Sequence, residues 1–163
     1  MLAWLSAQEP PGKWCIVHSR RADPGDSASV VVRIDQYLSD LAAYRDDAHL
    51  AAWQTHNISA HAWEALTYLW RGEATTLAGL CKKLRCVYLP DEYQQALQEL
   101  INRGWVEEKA CEYCLTPQAQ EVRQTAEELT EHYFYAPWNC LQQEEVEDLR
   151  VLLSRFHNAL RGN

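Results

Sequence analysis

"LPDEYQQALQELINRGWVEEK", residues 89–109, decides how this chain reads. Pro90 suits the first position of a helix, where no amide hydrogen bond is lost, and Asp91 and Glu92 suit the positive end of its dipole. Tyr93, Ala96, Leu97, Leu100 and Ile101 recur at helical spacing and form one apolar face, and Gly104 is placed to end the helix. The opposite face carries Gln94, Gln95, Gln98 and Asn102, side chains that are polar but uncharged. Trp105-Val106 then opens a strand without an intervening loop.

Upstream, Ile34, Tyr37, Leu38, Leu41, Ala42 and Tyr44 predict a long amphipathic helix over residues 30–53. Ser59 is a good N-cap for a second helix with Trp63, Leu66, Thr67 and Trp70 as its stripe and Gly72 as its stop. Thr75 or Thr76 caps a short third helix that turns Leu77, Leu80, Cys81 and Leu84 inward. Downstream of the opening stretch, Glu107 to Glu112 make a short turn, and Tyr113-Cys114-Leu115 return as a second strand. Thr116-Pro117 starts a long helix that runs to about Tyr133 and breaks at Ala136-Pro137-Trp138. A last helix from about Gln142 carries Val146, Leu149, Leu152, Leu153, Phe156 and Leu160. Residues 1–29 read as an extended lead-in, because two Pro-Gly turns bracket the β-prone run Trp14-Cys15-Ile16-Val17.

The bounds agree with one mostly helical domain. A chain of 163 residues with 47% apolar content and seven Trp has ample surface to bury. The opening MLAWLSAQEPP has no basic leader and too short an apolar run for a signal peptide or membrane span, so a cytoplasmic protein is expected. Six Cys outside any small loop-rich framework read as reduced thiols. The net charge of −8 argues against broad attraction to nucleic acid, but it is unevenly spread. Residues 121–150 carry a balance of −6, whereas residues 56–120 carry −2.

Helix, helix, short helix, helix, hairpin, long helix, helix is the order of a winged helix-turn-helix with helical arms at both ends. In "NISAHAWEALTYLW" (57–70), "TTLAGLCKKL" (75–84), "ALQELINRGWVEE" (96–108) and "YCLTPQAQEV" (113–122) the chain resembles the MarR family of bacterial regulators. No Gly-rich phosphate loop and no Gly-x-Ser-x-Gly elbow occurs, so no enzyme and no cofactor is expected. The resemblance implies a homodimer on double-stranded DNA with a small-molecule effector between arm and lobe, the effector pocket itself not being assigned. Residues 30–55 would form the N-terminal dimerisation arm, 56–119 the winged lobe and 120–163 the C-terminal arm. Pro90 to Arg103 would be the recognition helix and Glu107 to Glu112 the wing.

Gln and Asn can each pair with adenine through two hydrogen bonds, so Gln94, Gln95, Gln98 and Asn102 fit a helix that reads the major groove; they equally fit a neutral solvated face. Lys82, Lys83 and Arg85 end the preceding helix where family members touch phosphates, and Arg103 and Lys109 could add contacts that position without reading sequence. Lys109 is the only base in the wing, which leaves an interaction module without DNA binding as the rival reading. Cys111 and Cys114 have the spacing of half a zinc site, with Cys81 and Cys86 as a second pair, so a thiol or metal sensor is a further alternative to incidental Cys. His49, His56 and His61 lie near one helix junction without any zinc-enzyme spacing. The aromatic run Tyr133 to Trp138 fits either a packed corner or an effector-pocket wall.

Overall fold

The computed structural model describes residues 12–84 and 88–162. Seven α-helices and one hairpin occur among these residues: α1 (Trp14–Ser19), α2 (Val30–Trp53), α3 (Ala60–Trp70), α4 (Leu77–Lys83), α5 (Pro90–Asn102), β1 (Val106–Lys109), β2 (Glu112–Leu115), α6 (Pro117–Tyr135) and α7 (Gln143–Arg161). Arg85 and Cys86 fall outside the described residues.

Local capping sets most boundaries. The Ser59 hydroxyl accepts from the Ala62 amide at 3.2 Å, that of Thr76 from Gly79 at 3.0 Å and that of Thr116 from Ala119 at 3.3 Å. Leu89 has no capping oxygen, so the Glu92 carboxylate reaches back to its amide at 2.7 Å. Gly72 and Gly104 turn the chain at the ends of α3 and α5 with φ of +67° and +70°, a region that glycine enters without steric penalty.

The lobe packs Leu66, Leu80, Tyr93, Leu97 and Leu100 from three helices around Trp63, Trp105 and Val106. The antiparallel hairpin pairs Val106 with Leu115 and Lys109 with Glu112, so the strands reach further than expected and the turn shrinks to Ala110 and Cys111, both at positive φ. The Tyr113 amide donates to the Thr75 carbonyl at 2.7 Å and ties the hairpin to the start of α4.

The expectation of an extended lead-in is corrected: residues 14–19 are helical. Lys13 supplies no side-chain cap. Asp47 of α2 does so from a distance, its two carboxylate oxygens accepting from the Cys15 and Ile16 amides at 2.9 and 3.0 Å. At the other end the Ser19 hydroxyl donates to Asp40 at 2.7 Å, and the Gln36 amide nitrogen donates to Asp40 at 2.9 Å and to the Ser19 carbonyl at 3.1 Å. α1 therefore runs antiparallel to α2, and Ile16 is buried between them.

α6 lies along α2, with the Tyr44 hydroxyl donating to the Tyr133 carbonyl at 3.2 Å. Beyond it Phe134, Tyr135 and Trp138 meet at ring separations of 5.0 to 6.0 Å around buried Pro137, a packed corner. α7 buries no residue. Within α2 the apolar row Ile34 to Tyr44 is buried at Tyr44 and half-buried at Ile34 and Leu41, while Tyr37 and Leu38 stay exposed.

Candidate nucleic-acid interface

α4 and α5, packed against each other in the lobe, leave the expected polar residues uncovered. Burial of Tyr93, Ala96, Leu97 and Leu100 fixes the rotation of α5, and Gln94, Gln95, Gln98 and Asn102 are consequently all exposed. The Gln98 amide donates to the Asn102 side-chain carbonyl at 3.0 Å, which holds the two amides in a row along the helix. Such a row presents both donors and acceptors, the pairing set that an adenine edge requires.

Lys82 and Lys83 are exposed at the C-terminal end of α4, where helical carbonyls favour cations. Lys83 lies 3.7 Å from the Glu73 carboxylate, an exposed pair that a phosphate could exchange into at little cost. Arg103 is different from expectation. Its guanidinium donates to the His56 and Asn57 carbonyls and to Glu99, and it lies over the Trp105 ring at 5.4 Å. Burial pushes the Glu99 carboxyl up, but hydrogen bonds from Ser59 and Arg103 outweigh this and hold it below the usual range. Arg103 thus clamps the end of α5 to the α2–α3 junction and is not presented for phosphate contact. The wing differs too, since Glu107, Glu108 and Glu112 are exposed there and Lys109 is paired with Glu107 at 2.6 Å.

The thiols and histidines divide. Cys111 and Cys114 are exposed, one in the turn and one in β2, and Cys81 is half-buried. Among the described residues no group of three or more His, Cys, Asp or Glu could hold a metal ion. His61 lies against Tyr88, and His56 stacks on Trp63.

His49 is part of a cluster that sequence reasoning missed, at the joint between arm and lobe. The Trp63 indole N–H donates to His49 Nε2 at 3.1 Å, which places the imidazole proton on Nδ1. Nδ1 in turn faces the Thr130 hydroxyl at 3.2 Å, and that hydroxyl donates to the Ala126 carbonyl at 2.7 Å. Burial and then the Arg123 cation push His49 down to about 4. Arg123 is only 1% exposed; its guanidinium lies over Trp63 and Trp70, donates to Thr67 at 3.2 Å and pairs with Glu127 at 2.6 Å. Burial raises Glu127, but its bond to Arg123 and that cation prevail and hold it below the usual carboxylate range. The signal was present in the sequence: Arg123 sits in the row Ala119, Arg123, Ala126, Thr130, the buried face of α6.

The chain matches the profile of a helix-turn-helix family over residues 29–163. Among solved structures it is similar to the MarR family protein Rv2887 of Mycobacterium tuberculosis, at 15% identity over 85% of this chain and 98% of that one, with a TM-score of 0.59. A complex of that protein with DNA matches at 15% identity, 80% and 98% coverage and a TM-score of 0.56. MepR, a transcription regulator of the Staphylococcus aureus multidrug efflux pump MepA, matches at 13% identity, 81% and 99% coverage and 0.59. No curated protein sequence matches. At these identities the likeness establishes the fold, a MarR-like winged helix with helical arms. No helix among the described residues is long and apolar enough to cross a membrane.

Proposed function

The chain belongs to a helix-turn-helix family, and on that premise we propose that it is a DNA-binding transcriptional regulator of MarR-like type, acting as a homodimer. The observation that carries this reading is the outward face of α5. Core packing of Tyr93 and Leu97 turns four neutral amide side chains to solvent, and Lys82 and Lys83 are exposed at the end of the preceding helix. Amides read base edges and lysines hold phosphates, a division of labour suited to a helix in the major groove. The acids Asp91 and Glu92 belong to the helix start, where Glu92 is engaged as a cap.

Two uncovered apolar surfaces, on the N-terminal half of α2 and along α7, support the dimer, since a monomer would leave both in water. A groove of about 770 Å³ between α3, β2 and α6, walled by Trp70, Tyr113 and Leu115 with Gln120 and Gln124 at its rim, has room for a small-molecule effector at the base of the wing.

Fluorescence anisotropy with duplex DNA from upstream of its own gene tests the reading. Binding is expected to be tighter than to shuffled DNA and to weaken steeply with salt. Absence of binding at about 50 mM salt by a confirmed dimer would overturn it. The acidic wing, with its one cation already engaged by Glu107, favours in that event a winged helix that contacts protein instead of DNA.

A further inference from the structure

Residues 12–28 lie before the segment that the family profile covers, yet residues 15–20 among them are pinned to the arm by buried side chains. Two acids of α2, Asp40 and Asp47, are buried and spend their oxygens on this segment. Asp47 caps α1 by accepting from two amides, and Asp40 accepts from Ser19 and lies 4.0 Å from Arg20. A buried carboxylate is costly without partners, so these positions are built to hold α1 in place.

The held helix turns an apolar face outward. Trp14 is 82% exposed and Val17, one turn on, is 51% exposed. On the adjoining α2, Val30, Val31, Tyr37 and Leu38 are also uncovered. The same chain offers a matching surface that covers none of this: α7 has no buried residue, and its Leu152, Leu153 and Leu160 are exposed. Charge is complementary as well. Residues 13–33 carry Lys13, Arg20, Arg21 and Arg33 against Asp23 and Asp26, while Glu144, Glu145, Glu147 and Asp148 crowd the start of α7.

We propose that the α1 latch is part of the subunit interface, its Trp14 and Val17 together with the outer face of α2 being covered by α7 of a second copy of this chain. The inference rests on the homodimer reading and adds the segment outside the family match to the surface that forms it. A second copy suits both faces because each subunit lends one α7 and receives one, so the contact is reciprocal and closes at two. The acidic start of α7 suits a segment flanked by cations at both ends, Lys13 before α1 and Arg20 and Arg21 after it.

Sedimentation of the full-length chain over a concentration series, with and without the double substitution Trp14→Ala and Val17→Ser, is the test. Both side chains are on the surface, so the variant keeps its fold, as circular dichroism will check. The dimer dissociation constant is expected to rise at least tenfold, and added salt to raise it further in the unaltered chain. Acrylamide quenching supplies a second readout. The fluorescence that disappears in Trp14→Phe reports Trp14 alone, and it should become shielded as the chain passes from monomer to dimer. A dimer whose dissociation constant is unmoved by the double substitution and whose Trp14 stays open to quencher overturns the latch interface and leaves the homodimer standing. A chain that stays monomeric at tens of micromolar overturns both.

Discussion

Single side chains at the joint between arm and lobe set how rigidly the lobe is held. His49 is neutral there because burial, reinforced by Arg123, disfavours its charged form, and neutrality is what allows Nε2 to accept from Trp63. The folded value of about 4 lies below the ordinary 6.5, so the unfolded chain takes up a proton first as the solution is acidified. Stability is therefore full above about pH 6.5 and falls progressively between there and pH 4. His56 shifts in the same direction through burial and then Arg103. Comparing His49→Gln with the unaltered chain isolates the first contribution: urea midpoints at pH 7 and pH 5 should lie closer together in the variant, with His56 supplying part of what remains. A pH dependence equal to that of the unaltered chain would remove His49 from the account. Asp47 acts at the other end of α2. Asp47→Ala should destabilise the fold by about 2 kcal/mol, because two helix-start amides lose their acceptor, and hydrogen exchange at Cys15 and Ile16 should accelerate markedly.

At the scale of elements, α4 and α5 separate positioning from reading. Replacing Lys82 and Lys83 by Ala should weaken binding to all DNA sequences about equally and lower the salt slope by about one for each phosphate no longer neutralised. Gln98→Ala should cost about 1 to 3 kcal/mol on the preferred site and little on shuffled DNA, because a base-edge pair and the partner of Asn102 go together. Equal losses on both DNAs for Gln98→Ala would mean that α5 does not read bases. The helices from α2 onward were legible to within a residue or two, because their signals are local. Ser59, Thr76 and Thr116 cap within three residues, and Gly104 ends α5 on the spot. α1 was missed because its cap comes from Asp47, more than thirty residues away, so its own sequence displayed only the β-branched and aromatic content of Trp14 to Val17.

The whole molecule is a compact lobe with unequal extensions, one latched and one standing free. Phe156 is half-buried and Leu152 is exposed on α7, and a buried charge at these positions would be intolerable only if a partner covers them. Leu152→Glu with Phe156→Glu should therefore give a monomer of unchanged helicity in light scattering, and its DNA affinity should fall by at least tenfold as half-site binding replaces the paired mode. A dimer that survives both changes would place the interface elsewhere.

What the sequence determined by itself was the order of elements from α2 onward, the rotation of α5 and hence which four amides face outward. Those properties follow from apolar periodicity and capping, and both act over a few residues. Tertiary structure alone decided how the charged side chains are used. Arg103 had the look of a phosphate contact but caps the α2–α3 junction, and Arg123, which periodicity alone places on the inner face of α6, finds its partners only in the fold, between two indoles and against Glu127. A long cationic side chain reaches whatever carbonyl, carboxylate or ring folding brings within its span, and those groups come from helices distant in the chain.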